Sequence, residues 1–199
     1  MTATSTRDRI LSSARGLFDA GGLDAVSLRK IASEVELTPM AIYRHFADKD
    51  ALIDALVIDA LDRWAERVAA IPPDEPAAWL ETVITREFLD FALEEPRRFE
   101  AAFLVRSTRA RRYPEDFAKG RSPAGRLWMA RLKELRTLGR LAPDVEPLEA
   151  ALTLWALGQG LITLYRAGRF IGGVDEFRAM YRQATRRCLR SFVDVGGTP

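Results

Sequence analysis

The residues best equipped for chemistry lie close together near the start of the chain: Ser27, Arg29, Thr38, Pro39, Met40, Tyr43, Arg44, His45 and Lys49. They form no catalytic set. They supply hydroxyls, cationic groups, a phenol, one imidazole and two apolar side chains, which together suit gripping phosphate oxygens and reading base edges. Ser27, Tyr43, His45 and Lys49 suit phosphate, helped by amides at helix starts. Thr38, Pro39, Met40 and Arg44 suit base edges, with Arg29 projecting from the preceding helix. Arginine favours guanine through paired N–H groups, and Met40 and Pro39 offer apolar contact to a thymine methyl. The chain has no asparagine, so the asparagine–adenine pairing is ruled out.

Two short helices must position these groups. Leu28, Ile31, Ala32 and Val35 recur at i, i+3, i+4 and i+7, one face of a helix. Ser27 is suited to cap that helix through its hydroxyl. Glu36 and Leu37 break the pattern. Thr38-Pro39 then restarts it, with a capping hydroxyl followed by proline at the first helical position. The second helix is expected over residues 39–46, with Ile42 and Phe46 inward and the polar and aromatic groups outward. Two such helices joined by a tight turn fit a major groove, although a pair of ordinary core helices shares the pattern. His45 alone would equally serve as a packing residue, and Lys49, between Asp48 and Asp50, as a solvated helix start.

The segments Ser27–Ala32, Leu37-Thr38-Pro39, Ile42–Phe46 and Asp48–Leu52 resemble the DNA-binding signature of the tetracycline-repressor-like (TetR) transcriptional regulators. The resemblance implies a phosphate role for His45 and Lys49. It also implies an effector pocket and a dimerisation surface further along the chain, and repression as the usual outcome. One position departs from the pattern: the turn, commonly glycine in the family, holds Glu36, which adopts positive φ less readily.

The rest of the chain reads as helical. Ile10, Leu11, Ala14, Leu17 and Phe18 mark a bracing helix over residues 6–20, which Gly21-Gly22 ends, with residues 1–5 frayed. Asp48 caps a helix running to Pro72-Pro73, a rod of roughly 35 Å at the α-helical rise and a candidate lever behind the reader. Further helices are expected over 76–93, from Pro96, over 123–139, 147–165 and 175–193, with residues 107–121 as a loop. Repeats and strand-like alternation are lacking. The chain is therefore expected to be all-α with about nine helices. Its DNA-binding domain would span residues 1–50, and a ligand-binding and dimerisation domain residues 51–199.

The helix over 147–165 carries apolar residues on every side, and Gln159, Thr153, Thr163, Gly158 and Gly160 dilute it too much for a membrane span. It is expected to place one face on its own core and one on a second copy. The dimer contacts expected from it and from the final helix are Leu152, Trp155, Leu161, Met180, Ala184, Cys188 and Phe192. Trp79, Thr85, Phe88, Phe103, Trp128, Gln159 and Tyr165 are the candidates for a mostly apolar effector pocket with few polar groups. Each large residue among them would serve equally as core.

Net charge is +2, and its distribution is uneven. Residues 1–50 hold seven basic and seven acidic groups, residues 51–96 three against eleven, and residues 97–140 thirteen against four. A neutral reader must bind through placed contacts and through doubling rather than bulk charge. The basic run, including Arg106, Arg109, Arg111 and Arg112, reads as a solvated face balancing the acidic segment, or as an anion site. A single histidine and a single cysteine, Cys188, give no metal-ligand set and no internal disulfide. Neither Gly120–Gly125 nor Gly158-Gln159-Gly160 has the spacing of a nucleophile elbow or a dinucleotide fold. The expectation is a cytoplasmic, cofactor-free regulator rather than an enzyme: a homodimer binding a palindromic double-stranded operator and a small effector. The alternative is a helical adaptor whose reader has degenerated.

Overall fold

The computed structural model describes residues 5–72, 75–109 and 112–194. The expectations for residues 1–4, for Pro73 and for Arg111 lie outside them. Helices make up the regular structure of the described residues, and no strand forms among them beyond the isolated pair Leu141 and Val193. The chain divides into two compact units, Met1–Arg63 with Glu95–Ala110, and Trp64–Glu94 with Arg111–Pro199.

In the first unit, α1 (Thr6–Ala25) buries Ile10, Ala14 and Phe18, as its apolar spacing predicts. Its helical backbone breaks at Gly21 and Gly22, and one further turn follows. Gly22 has φ 70°, and a Cβ there would lie 3.3 Å from Arg97 Nη1. Helix α2 (Leu28–Glu34) starts directly after Ser27, as expected. Ser27 takes extended capping angles, but its hydroxyl makes no capping bond, so that expected cap is absent. Helix α3 (Pro39–Ile42) is shorter than the expected 39–46. Residues 43–45 continue as tight turns, with Arg44 N–H donating to Ala41 O (3.3 Å) and His45 N–H to Ile42 O (2.9 Å). Ile42 and Phe46 are both buried, so one turn suffices to bring the chain to Asp48, whose Oδ1 accepts from Ala51 N–H at 2.7 Å and caps α4 (Lys49–Ala69).

Glu36 occupies the position of the family's glycine and its conformation too, with φ 55°. Leu37 N–H donates to Ala32 O (2.8 Å) and Glu36 N–H to Ser33 O (3.4 Å), the paired bonds of a Schellman motif with Glu36 at the left-handed position. The turn is therefore intact and holds a residue that strains it. A left-handed non-glycine residue costs about 1–2 kcal/mol, of which glycine returns about 0.4–1 kcal/mol as added freedom of the unfolded chain. Glu36→Gly should raise the thermal midpoint by a few degrees and Glu36→Val should lower it, both read by circular-dichroism melting.

Residues 49–63 of α4 and helix α7 (Pro96–Phe103) complete this unit. Its core joins Ile10, Ala14, Phe18, Ile31, Ala32, Ile42, Phe46, Leu52, Leu56 and Ala101. Arg15 bonds Asp59 (2.5 Å) and Arg63 bonds Glu95 (3.1 Å). The Asp54 carboxylate accepts from Ser107 Oγ (2.5 Å), Thr108 N–H (3.1 Å) and the Thr108 hydroxyl. Burial acts to raise its pKa, but these bonds and Arg109 outweigh burial and hold it below the usual carboxylate value.

The second unit holds residues 64–69 of α4, α5 (Pro76–Thr82), α6 (Phe88–Glu94), α8 (Glu115–Ala118), α9 (Pro123–Thr137), α10 (Pro147–Arg166) and α11 (Val174–Arg190). Between α5 and α6 the expected single helix carries a π segment, Val83–Glu87, in which Phe88 N–H reaches Val83 O. Helix α8 interrupts the expected 107–121 loop. Helix α11 ends at Arg190 rather than near Val193, because Val193 pairs with Leu141 instead. Ser122 caps α9, its hydroxyl accepting from Gly125 N–H at 3.1 Å. Part of the basic segment is matched by ion pairs, among them Arg121–Asp116, Arg131–Glu134 and Arg140–Glu75 (2.6 Å), whereas Arg106, Arg109 and Arg112 stand exposed.

Candidate nucleic-acid interface

Helix α3 and the turn that follows it present the expected reading groups to solvent. Thr38 Oγ1 accepts from Ala41 N–H at 3.2 Å and Pro39 opens the helix, so the chain turns outward at a fixed point. Ile42 and Phe46 are buried on the opposite side and hold the segment down. Thr38, Pro39, Arg44 and His45 are exposed, Met40 is 73 % exposed and Tyr43 47 %. A methionine exposed to this degree has no part in its own fold and is available to a partner surface. His45 is also in solvent, so its packing alternative does not hold.

Helix α1 fixes the frame. Arg9 Nη2 donates to Val35 O at 2.9 Å and Ser13 Oγ donates to Glu34 at 2.6 Å, tying down the C-terminal end of α2 just before the turn. The Arg7 guanidinium lies over the Phe46 ring, 4.8 Å from its centroid. Arg29 stands exposed on α2, Ser27 is half-buried with its hydroxyl uncommitted to capping, and Lys49 is exposed in the first turn of α4. All nine expected contact residues thus lie on one continuous stretch, and none of them fills the core. Lys30, also exposed on α2, adds a cation that the sequence reading did not assign. Its place beside Arg29 was the available signal.

The expected pocket residues divide between the two units. Phe103 belongs to the first unit, with its ring 5.0 Å from that of Phe99. In the second unit, Trp79 lies under Arg131, Phe88 meets Trp64 edge-on at 5.4 Å, and Tyr165 stacks on Phe177 at 4.0 Å. Trp128 and Thr85 are buried, and the Thr85 hydroxyl donates to Glu81 O at 2.7 Å. Gln159 instead lines an open groove on α10 with Leu152, Trp155, Ala156, Gly160, Thr163 and Leu164.

That groove bears on the expected dimer contacts. Ala150, Leu154, Gly158 and Ile162 face inward, whereas Thr153, Ala156, Gly160, Thr163 and Leu164 are open, Leu164 at 47 %. Leu152, Trp155 and Leu161 flank this open face, half-buried. On α11, Met180, Ala184 and Cys188 are half-buried at the edge of an exposed face of Ala179, Arg182, Gln183, Arg186, Arg187 and Arg190. Burial pushes the Cys188 thiol pKa up, so it is a poor nucleophile. Phe192 is buried in its own unit. Among the described residues, none of the helices is long and apolar enough to cross a membrane, and no cluster of potential metal ligands occurs.

Residues 10–56 match the model for bacterial regulatory proteins of the tetR family, and residues 82–188 match that for the tetracyclin repressor-like C-terminal domain. The HTH-type transcriptional regulator UidR of Escherichia coli K12 is 36% identical over 73 residues, which is 35% of this chain and 37% of UidR. The match therefore spans little more than a third of that relative. The HTH-type transcriptional repressor AcnR of Corynebacterium efficiens is 28% identical over 92% of this chain and 94% of its own. A solved structure of a protein of unknown function from Rhodococcus sp. RHA1 superimposes with a TM-score of 0.76 at 21% identity, covering 97% of this chain and 98% of that one, and shares the fold.

Proposed function

The chain belongs to the TetR family of bacterial transcriptional regulators, and from that premise we propose that it works as a homodimeric repressor. It binds a palindromic operator and is released by a small apolar or amphipathic effector. The observation that carries this reading is the exposed row Thr38, Pro39, Met40, Tyr43, Arg44 along α3 and the turn after it, anchored from behind by buried Ile42 and Phe46. A second support is the open apolar face of α10, a helix with too little charge to be left in water. Charges on α11 favour a second copy as its neighbour: Asp175 and Glu176 lie in the first turn, and Arg187 and Arg190 in the last. An antiparallel partner sets each acidic end against a basic one.

Two readers spaced about 34–36 Å apart fit successive major grooves. An effector that prefers a different spacing releases the DNA by that differential affinity and by nothing else. Helix α4 is the lever in this scheme, because it contributes to both units. The adaptor alternative rested on Glu36, and with Glu36 held at φ 55° in a complete turn that support is gone.

Binding to the palindrome upstream of the gene, followed by fluorescence anisotropy at several salt concentrations, tests the reading. Lys49→Ala should weaken specific binding about tenfold and lower the salt slope by about one per copy. Tyr43→Ala should weaken binding without changing the slope in proportion to any lost charge. If the effector-free protein binds no fragment of its own upstream region, the proposal fails.

A further inference from the structure

Tyr181 is wholly enclosed in the second unit, at 0 % exposure, and its hydroxyl has no hydrogen-bond partner. Leaving a phenol dry and unbonded opposes folding. Three elements converge on it. A Cβ at Gly158 of α10 would lie 2.7 Å from Tyr181 Oη, 3.0 Å from Ile84 Cδ1 and 3.4 Å from Phe88 Cδ1. Gly158 thus lets α11 and the π segment pack directly against α10, where any side chain would collide with the Tyr181 hydroxyl and Ile84. Single-turn π insertions are an uneconomical way to build a helix and recur at functional sites. The surroundings are aromatic: the Phe177 ring lies 6.0 Å from that of Tyr181, and Tyr165 stacks on Phe177 at 4.0 Å.

The other buried hydroxyls are engaged, Thr85 donating to Glu81 O (2.7 Å) and Thr185 to Tyr181 O (2.8 Å). Among the described residues, no side chain carrying a formal charge is buried. The charged groups on these elements are already matched, Arg178 with Asp90 and Glu87 with Arg67, so a carboxylate or ammonium ligand would enter without a free counter-charge, and burying an unpaired charge is prohibitive. An aryl ring carrying a carbonyl would meet aromatic walls and one waiting donor. Burial also pushes the Tyr181 pKa upward, so the phenol keeps its proton and can only donate to an incoming acceptor.

We propose that the Tyr181 hydroxyl is the polar anchor of an effector site between α10, α11 and the π segment, and that the site takes an uncharged aryl carbonyl compound. This rests on the reading of the second unit as an effector domain. Ile84 and Phe88 hold the place that the ligand takes, and displacing Phe88 disturbs the Trp64 ring that it meets edge-on at 5.4 Å. Trp64 lies on α4, one residue beyond the part of that helix belonging to the first unit, so occupation of the site acts directly on the lever.

The test uses the full chain, with acetophenone as the neutral probe and benzoate as its charged isostere, by calorimetric titration and thermal shift. Acetophenone should bind and raise the midpoint, and benzoate should do neither. Tyr181→Phe should bind acetophenone about tenfold more weakly, as expected for one lost hydrogen bond, and Gly158→Ala should abolish binding. Without any compound, Tyr181→Phe should melt above the native protein, because an unbonded buried donor has been removed. Absence of acetophenone binding, equal binding of benzoate, undiminished binding by Tyr181→Phe, or a lowered midpoint for that variant would each overturn the site. Operator binding is measured in parallel: its loss counts against the regulator reading, whereas normal operator binding without acetophenone binding counts against this site alone.

Discussion

Gly160→Arg should yield a well-folded monomer that has lost its operator. In the single chain a Cβ at Gly160 meets nothing within 4 Å, so a long side chain there is accommodated. Replacing a mid-helix glycine also gains about 0.8–1 kcal/mol of helix propensity, so the melting midpoint of the monomer should not fall. In the proposed dimer the outcome reverses. Gly160 stands in the groove of Leu152, Trp155, Ala156, Gln159, Thr163 and Leu164, and a guanidinium placed there would be buried without a partner in each subunit. Because the first fifty residues carry no net charge, a single reader has little but its few placed contacts. Operator affinity should drop at least about 1,000-fold, the interval separating specific from non-specific binding. Light scattering gives the mass and anisotropy the affinity. A variant that remains dimeric would place the interface away from α10. Trp155→Arg is a poorer probe, because the Trp155 ring also packs against Phe117 within its own unit, at 5.4 Å, so a loss of function there would mix folding with assembly.

The reader was legible in the sequence because its signals are local. Thr38-Pro39 and Asp48 announce helix starts through bonds reaching three residues ahead, and Ile42 with Phe46 announces the buried side through one spacing. The ends were less legible. Whether α3 stops at Ile42 or at Phe46 depends on how the following turn closes, and whether Ser27 makes its capping bond depends on a rotamer. The second unit was legible as helices but not as a site. Gly158 read as a residue diluting an apolar helix, and Tyr181 fell unremarked within the expected helix over 175–193. Their meeting joins residues far apart in the chain, and the π insertion at Val83–Glu87 has no period that an α-helical pattern detects. Glu36 was the reverse case: the sequence marked an exception, and only the backbone angle at φ 55° showed the exception to be one of residue type and not of geometry.

Phe18→Ala should be the most damaging single change to the fold of the reader. Phe18 is 2 % exposed and sits with Ile10 and Ala14 on the face of α1 that closes the core formed with Ile31, Ala32, Ile42, Phe46 and Leu52. Emptying a buried phenylalanine costs about 3–5 kcal/mol, a large share of the about 5–15 kcal/mol that holds a domain together. For a unit of this size the midpoint should fall by more than about 12 °C. Leu11 and Leu17, half-buried on the same helix, should cost much less when cut to alanine. The contrast with the surface is the sharper test. Met40→Ala, at a residue 73 % exposed, should leave the melt unchanged and weaken operator binding, whereas Phe18→Ala should lose binding through loss of structure, seen as fast amide exchange in α1 and α2. If Phe18→Ala melts like the native chain, α1 does not brace the reader, and the position of α3 must be set by some other contact.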